Sequence, residues 1–243
     1  MSVFSGPEIV NSGLVLHLDA ANPRSYSGSG TTWYDLTKNT NVSLINNPSY
    51  TGTNNGGIVF DGTNDYARPT VAHSYLSSSA LEFVFNSSSH GSGFKTIGGY
   101  RHNSGYSLPT IGSIYLNGTT LNASVITTSQ VYRTAIYSAA ILTNRTYHVV
   151  LNKDTVNGTL QLFVNGVAGD VQTFDAATYA YWAGEYVGAN ILDIAKSSND
   201  LTGQSWGNDY FNGTMYKIGL YNRILTLAEI KQNFEAMRGR YGL

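Results

Sequence analysis

One serine lies in a nucleophile-like pattern: Ser205, within the Gly-Gln-Ser-Trp-Gly sequence at 203–207. In hydrolases this G-x-S-x-G pattern needs a turn between a strand and a helix, followed along the chain by an acid and a histidine. No histidine follows His148, and no helix pattern begins at Ser205. We therefore interpret 203–207 as a loop and expect no catalytic serine.

Two aspartates, Asp61 and Asp65, enclose a Gly-Thr-Asn sequence at 62–64. Carboxylates and loop carbonyl groups at the rim of a sheet can bind Ca²⁺, which prefers hard oxygen ligands. Alternatively, Asp61 begins a tight turn in which its side chain bonds to its own backbone. The spacing favours the turn and leaves Ca²⁺ open, and no other cofactor is indicated.

Aromatic and amide side chains in predicted loops offer a third kind of chemistry. The C–H face of a sugar stacks on aromatic rings, and its hydroxyl groups bond to Asn and Asp. The same rings suit a protein interface, where Tyr and Trp are enriched, or a role in packing at the ends of the sheets. The candidate ligand-binding residues are Trp33, Tyr34, Tyr100, Trp182, Trp206, Asn208, Asp209 and Tyr210.

The composition excludes several classes of protein. Charged residues make up 12% and the formal net charge is -1, so a basic surface for nucleic acid is not expected. The absence of cysteine excludes disulfide bonds and thiolate metal sites. No apolar run approaches the ~20 residues that span a bilayer, and the first residues lack the pattern of a secretory signal.

Short runs of alternating apolar and polar residues, separated by polar turns, predict strands along most of the chain. In 214–221, for example, Tyr216, Ile218 and Leu220 fall on one face of the predicted strand. Asn-Gly pairs, the strongest short signal for a hairpin, include those at 117–118, 157–158, 165–166 and 212–213. Many short strands without alternating helices predict an all-β sandwich of antiparallel sheets.

One helix is predicted, at 227–238. Thr226 is a good N-cap, and Glu229 three residues later completes a capping box. The apolar face of the helix is expected to consist of Leu227, Ile230, Phe234 and Met237.

Residues 1–12 are interpreted as an N-terminal arm and 13–243 as a single domain.

Eight short segments in a fixed order carry a resemblance to a known family. They are Gly-Leu-Val-Leu-His-Leu-Asp-Ala at 13–20, Trp-Tyr-Asp-Leu-Thr at 33–37, Phe-Asp-Gly-Thr-Asn-Asp-Tyr at 60–66, Tyr-His-Val-Val at 147–150, Leu-Gln-Leu-Phe-Val-Asn-Gly at 160–166, Phe-Asn-Gly at 211–213, Tyr-Asn-Arg-Ile-Leu at 221–225 and Glu-Ile at 229–230. In this order they resemble the laminin-G-like domains of the concanavalin A-like lectin and glucanase superfamily, over roughly residues 12–238. The resemblance implies a jelly-roll sandwich of two curved antiparallel sheets. The closing Arg-Tyr-Gly at 240–242 is similar to that of phage and bacterial single-domain proteins, which are often virion surface proteins.

The resemblance also raises glycoside hydrolysis, because some members of this superfamily are glucanases. Retaining hydrolysis needs two carboxyl groups about 5 Å apart, which two glutamates at i and i+4 on one strand would supply. None of the glutamates is paired in this way, so we expect no enzyme activity. They are Glu8, Glu82, Glu185, Glu229 and Glu235.

The expected function is therefore that of a non-enzymatic virion surface protein, a decoration or fibre subunit. Its expected partners are other virion proteins, copies of itself and cell-surface polysaccharide, and its expected location is the virion surface after assembly in the host cytoplasm. The low charge, and the apolar Phe4, Ile9 and Val10 in the arm, favour association with other subunits. The alternative is a carbohydrate-binding module or adhesin at a bacterial cell surface.

Overall fold

The computed structural model describes residues 7–70, 78–91, 93–101, 112–126, 132–175, 191–196 and 209–243. Within these ranges the chain forms sixteen β-strands, a short 3₁₀ turn at Thr53–Asn55 and one α-helix. The strands are β1 (Leu14–Asp19), β2 (Thr32–Trp33), β3 (Val42–Ile45), β4 (Ser49–Thr51), β5 (Gly57–Asp61), β6 (Tyr66–Pro69), β7 (Ser79–Ser87), β8 (Phe94–Arg101), β9 (Gly112–Asn117), β10 (Thr120–Ile126), β11 (Tyr132–Tyr137), β12 (Thr146–Asp154), β13 (Thr159–Val164), β14 (Val167–Thr173), β15 (Ile191–Ile194) and β16 (Asn212–Tyr221). The helix is α1 (Leu227–Tyr241).

The strands form two antiparallel sheets that pack face to face. Sheet 1 has the order β14-β13-β12-β7-β16-β5-β4, with β1 also paired to β16. Sheet 2 has the order β11-β10-β9-β8-β15-β6-β3-β2. The edge strands β11 and β14 contact each other, so β2 and β4 lie at the opposite edge of the sandwich. This architecture confirms the predicted all-β jelly-roll sandwich.

The main hydrophobic core fills the space between the sheets. Alternate side chains of the central strands enter it, including Phe83 and Phe85 from β7 and Ile114 and Leu116 from β9, all fully buried. This alternation follows from the two-residue repeat of a strand, which places every second side chain on the same face.

The register of β16 shifts between Met215 and Lys217, and this shift changes which side chains face the core. Met215 and Ile218 lie in the main core, whereas Tyr216 packs on the other side of the sheet. An extra residue in one strand of a pair breaks the strict alternation. The prediction that Tyr216 shares a face with Ile218 is therefore wrong.

Helix α1 packs on the outer face of sheet 1, and its first turn is capped as predicted. The Glu229 backbone N–H donates to Thr226 Oγ1 (3.3 Å), and the Thr226 N–H donates to Glu229 Oε2 (2.8 Å). The helix extends three residues beyond its predicted end, to Tyr241, and stops at Gly242 with a φ of 66°. Its last turn is held by the sheet, because Arg240 pairs with Asp19 and the Tyr241 ring contacts Tyr216.

The buried face of α1 differs from the predicted apolar stripe. Leu227 is 45% exposed, so its assignment to the buried face was wrong, whereas Phe234 is partly buried and stacks on His148. Asn233 is fully buried on this face, because its amide hydrogen-bonds into the sheet. The side chains that α1 buries are Ile230, Asn233, Met237 and Tyr241.

The described part of the predicted N-terminal arm packs against its own domain. The Val10 N–H donates to Asn233 Oδ1 (2.8 Å), and Tyr221 Oη donates to the Val10 carbonyl group (3.0 Å). Arg223 Nε donates to the Ser12 carbonyl group (3.1 Å). Helix α1 and β16 therefore hold this segment in place.

None of the helices in the described ranges is long and apolar enough to traverse a bilayer.

Candidate functional site

Polar side chains converge on the outer face of sheet 2, where β6 and β15 run side by side. Ala67 and Ile194 are paired and face the core, so Tyr66, Arg68 and Asp193 point to the other face. Arg68 Nε donates to Asp193 Oδ1 (2.6 Å) and its Nη2 to Oδ2 (3.0 Å). Such a bidentate pair fixes the orientation of the guanidinium group.

Lys196 links two tyrosine rings beside this ion pair. Its Nζ lies 4.6 Å from the centre of the Tyr66 ring and 5.6 Å from the centre of the Tyr210 ring. The Arg68 guanidinium carbon lies 5.0 Å from the centre of the Tyr66 ring. Cations at these distances are attracted to the negative face of an aromatic ring. Tyr66 is thus committed to two cations, while Tyr210 contacts one.

The segment that carries Asp209 and Tyr210 is held between β8 and β15 by backbone hydrogen bonds. The Thr96 N–H donates to the Asp209 carbonyl group (3.1 Å), and the Phe211 N–H donates to the Ala195 carbonyl group (2.9 Å). Ala195 has a φ of 65°, in the left-handed region that non-glycine residues rarely adopt. These bonds hold the backbone on both sides of Tyr210.

Asp209 is the carboxylate of this region whose proton affinity is most changed. Burial raises the pKa of Asp209 to about 6, although the charge of Lys95 acts in the opposite direction. Its carboxyl group is therefore ionised at neutral pH and becomes protonated in mildly acidic solution. We refer to Tyr66, Arg68, Asp193, Lys196, Asp209 and Tyr210 together as the Tyr66–Tyr210 surface.

The structure distributes the predicted ligand-binding residues over several places. Asp209 and Tyr210 belong to the Tyr66–Tyr210 surface. Trp33 has no exposed surface and lies in the main core, a placement that does not support its predicted contact with a ligand. Tyr34 is 51% exposed in the loop after β2. Tyr100 lies in β8, paired with Leu192.

The remaining three predicted residues, Trp182, Trp206 and Asn208, lie outside the described residues, as does Ser205. Tyr66, Arg68 and Lys196 were missed by the sequence analysis. Tyr66 stands in a family-like segment at 60–66, but no local pattern connects it with Lys196. Their proximity arises only from the pairing of β6 with β15.

Asp61 and Asp65 use their carboxylates within a turn. Asp61 Oδ1 accepts hydrogen bonds from the N–H groups of Thr63 (2.7 Å) and Asn64 (3.3 Å), and Asp65 Oδ2 accepts one from the Asp61 N–H (3.2 Å). The bond from Thr63 contributes most to lowering the pKa of Asp61 below its usual value. The turn interpretation accounts for this geometry. Across the described ranges, no three His, Asp or Glu side chains cluster so as to hold a metal ion.

Glu82 is the carboxylate with the most perturbed surroundings, and it lies beneath α1. Its Oε1 bonds to His148 Nε2 (2.8 Å) and its Oε2 to Lys217 Nζ (2.8 Å). Burial alone would raise the pKa of Glu82, but the charge of Lys217 and the contact with His148 outweigh it and lower that pKa. All three side chains are buried, so this network stabilises the junction between sheet and helix and does not face a ligand.

The chain belongs to the concanavalin A-like lectin/glucanases superfamily. A laminin G family model of that superfamily matches residues 61–231, which is more than half of the sequence. This finding confirms the resemblance inferred from the ordered segments. No curated protein matches the sequence.

Solved structures with the same fold include a sialidase and bacterial toxin domains. Trypanosoma rangeli sialidase matches 96% of this chain with a TM-score of 0.66 at 15% identity, and the match covers 34% of the sialidase. The receptor-binding domain of botulinum neurotoxin type G matches 92% of this chain with a TM-score of 0.66 at 11% identity, over 51% of that domain. The chain thus spans about a third of the sialidase and half of the toxin domain. At identities this low, the structural similarity shows a shared lectin-like fold and nothing more.

The expected role as a virion surface protein is contradicted by these comparisons. The similar structures are a sialidase and toxin receptor-binding domains. They favour the alternative prediction, a carbohydrate-binding module or adhesin, over a decoration or fibre subunit. The arguments for a virion protein were indirect, because a low charge, the lack of cysteine and the lack of a catalytic glutamate pair are equally compatible with other kinds of binding domain.

Proposed function

We propose that this chain is a non-enzymatic carbohydrate-binding domain that binds a glycan on the Tyr66–Tyr210 surface. The observation that carries the proposal is the convergence of a partly exposed ring, Tyr210, with a largely buried carboxylate, Asp209 (8% exposed), and an oriented, partly exposed guanidinium group, Arg68. Sugar recognition needs these three elements: a flat apolar face, a hydrogen-bond acceptor and a hydrogen-bond donor. The lectin-like fold of the superfamily supports the same class of ligand.

Each residue has a distinct part in the proposed recognition. The Tyr210 ring stacks on the C–H face of a sugar, and the Asp209 carboxylate accepts hydrogen bonds from its hydroxyl groups. Asp193 binds two N–H groups of Arg68, which fixes the orientation of the guanidinium group beside the Tyr66 ring. Lys196 and Tyr66 act as positioning residues, because Lys196 contacts both rings.

Among the residues that the structure describes, the distribution of carboxylates supports binding without hydrolysis. Glu82 is enclosed beneath α1 and engaged by Lys217 and His148, and both oxygens of Asp193 are occupied by Arg68. A retaining or inverting pair needs two carboxyl groups that both reach the glycosidic bond. Asp209 is therefore assigned to binding.

The test is a glycan array followed by calorimetry with the strongest hit. Tyr210→Ala should lower the affinity about tenfold, since truncating an aromatic anchor costs more than about 1 kcal/mol. Val156→Ala, which shortens an exposed side chain in the turn between β12 and β13, serves as the control and should bind like the parent protein. Affinity should also fall as the pH is lowered through about 6, the pKa of Asp209, because protonation removes an acceptor.

Three results would contradict the proposal. The first is a chain that binds no glycan on the array, and the second is unchanged affinity in Tyr210→Ala. The third is release of reducing sugar from the bound glycan, which would disprove the non-enzymatic part alone. Circular dichroism of each variant separates loss of binding from loss of folding.

A further inference from the structure

A second concave site lies at the edge of the sandwich formed by β2 and β4, away from the Tyr66–Tyr210 surface. Two segments enclose it: residues 26–31, which lead into β2, and residues 46–50, which comprise the loop after β3 and the first two residues of β4. Its volume is about 290 Å³, near the lower limit of ~300 Å³ for small-molecule pockets. We call it the tyrosine cleft, after Tyr26 and Tyr50. It shares no residue with the Tyr66–Tyr210 surface.

The aromatic wall of the cleft is a pair of tyrosines in which one supports the other. The rings of Tyr26 and Tyr50 are 5.5 Å apart, with planes inclined by 40°. Tyr26 is buried, and its Oη donates to the Gly30 carbonyl group (2.9 Å), which holds the first loop. Tyr50 is 37% exposed and presents its ring to the cleft.

The second segment is held by hydrogen bonds to other parts of the domain. Asn46 and Asn47 have φ values of 65° and 66°, so both occupy the left-handed region. Asn46 Nδ2 donates to the Asn64 carbonyl group (2.8 Å), which anchors the loop to the turn before β6. The Leu44 N–H donates to the Thr31 carbonyl group (2.8 Å) and ties the two loops together. The cleft is therefore shaped by hydrogen bonds before any ligand binds.

Polar groups along the cleft are uncommitted, in contrast to the anchored Asn46. The side chains of Ser29, Thr31 and Asn47 line the cleft, and none of them has a hydrogen-bond partner among the residues that the structure describes. All three are exposed. Together they offer two hydroxyl groups and one amide, which can each donate and accept hydrogen bonds.

We propose that the tyrosine cleft binds one neutral pyranose residue. The C–H face of the sugar lies against Tyr50, and its hydroxyl groups bond to Ser29, Thr31 and Asn47. The described lining contains no charged side chain, which favours a neutral sugar over sialic or uronic acids. This site goes beyond the proposed function, because it would give the domain a second binding position independent of Asp209 and Tyr210.

The experiment is a titration with neutral methyl glycosides of glucose, galactose and mannose, followed by NMR of the ¹⁵N-labelled full chain. At least one glycoside should bind at millimolar concentration and shift the amide signals of Asn47 and Tyr50. Tyr50→Ala should weaken this binding about tenfold, the effect of losing one aromatic anchor. Val156→Ala, which shortens an exposed side chain in the turn between β12 and β13 and outside the cleft, is the control and should bind normally.

Asn47→Gly provides a second variant that protects the test against misfolding. Glycine adopts the positive φ of this position without strain, so the loop is kept while the amide is removed, and binding should again weaken. Tyr210→Ala should leave binding in the cleft unchanged, which separates this proposal from the function proposed above.

The proposal is overturned if no neutral glycoside shifts the signals of the cleft, or if Tyr50→Ala and Asn47→Gly both bind like the parent protein. Tighter binding of sialic acid than of the neutral glycosides would also overturn it. Failure of the array experiment on the Tyr66–Tyr210 surface would leave these outcomes untouched, since the variants and the probes differ.

Discussion

Replacement of Lys217 by methionine should destabilise the domain more than most single substitutions. Lys217 Nζ is 2.8 Å from Glu82 Oε2, and both side chains are almost completely buried. Asn233 Nδ2 (2.8 Å) and His148 Nε2 (2.8 Å) bond to the other oxygen of Glu82. Methionine has a similar length but no charge, so the variant leaves the carboxylate buried without its cation.

The expected loss in the free energy of unfolding is about 3–5 kcal/mol, the usual cost of removing one partner of a buried ion pair. A domain is typically stable by about 5–15 kcal/mol, so the variant should remain folded but unfold at a clearly lower urea concentration. Urea unfolding at neutral pH, followed by far-UV circular dichroism, measures this loss. Lys231→Met, which removes an exposed lysine on α1, is the matched control and should change stability by no more than about 0.5 kcal/mol.

A double variant tests the reason for the loss. Glu82→Gln combined with Lys217→Met removes both charges, so it should recover much of the stability lost in Lys217→Met alone. NMR titration of His17 gives an independent readout. Burial, and after it the charge of Lys217, lower the pKa of His17 to about 4. Lys217→Met should therefore raise this pKa. A loss below about 1 kcal/mol in the single variant, or no recovery in the double variant, would refute the reasoning.

Three other substitutions have definite expected results. Asp209→Asn should stabilise the protein above pH 6 and have little effect near pH 4, because the raised pKa of Asp209 means that ionisation of its carboxyl group opposes folding. Urea unfolding at both pH values measures the change in stability, and equal changes would contradict the prediction. Phe234→Ala should lower the free energy of unfolding by about 1–2 kcal/mol, because Phe234 is half-buried against His148. The fully buried Phe85→Ala should lower it by ~3–5 kcal/mol, and equal losses in urea unfolding would contradict this. Glu229→Gln should destabilise the protein at neutral pH but not near pH 2. The hydrogen bond from Arg223 is the main cause that lowers the pKa of Glu229 to about 2, so the stability that this carboxylate contributes is lost as the pH falls from 4.5. Thermal unfolding across this range checks the prediction.

Features that depend on neighbouring residues could be predicted from the sequence. The capping box of Thr226 and Glu229 formed because both bonds lie within one turn of the helix. The succession of short antiparallel strands followed from the short alternating runs and the polar turns between them. Asp61 forms its turn because the accepting oxygen and the donating N–H groups lie within three residues.

Features that depend on distant contacts were predicted wrongly or missed. Asn233 was not considered as a buried residue, since an amide is buried only where partners such as Glu82 and Val10 satisfy it. The register shift in β16 moved Tyr216 to the helix side without a recognisable local pattern. Trp33 was interpreted as a loop residue, and the pairing of the two-residue strand β2 with β3 placed it in the core.

The sequence by itself determined the class of fold, the family and the position of the helix, because each of these is encoded in short segments whose order along the chain is sufficient. The tertiary structure decided where binding can occur. Arg68 and Asp193 are 125 positions apart and meet only because β6 pairs with β15. The tyrosine cleft likewise needs Tyr26 from the loop before β2 and Tyr50 from β4, with β2 and β3 between them along the chain. Such convergence depends on strand pairing across the whole domain, which periodicity within a single strand does not specify.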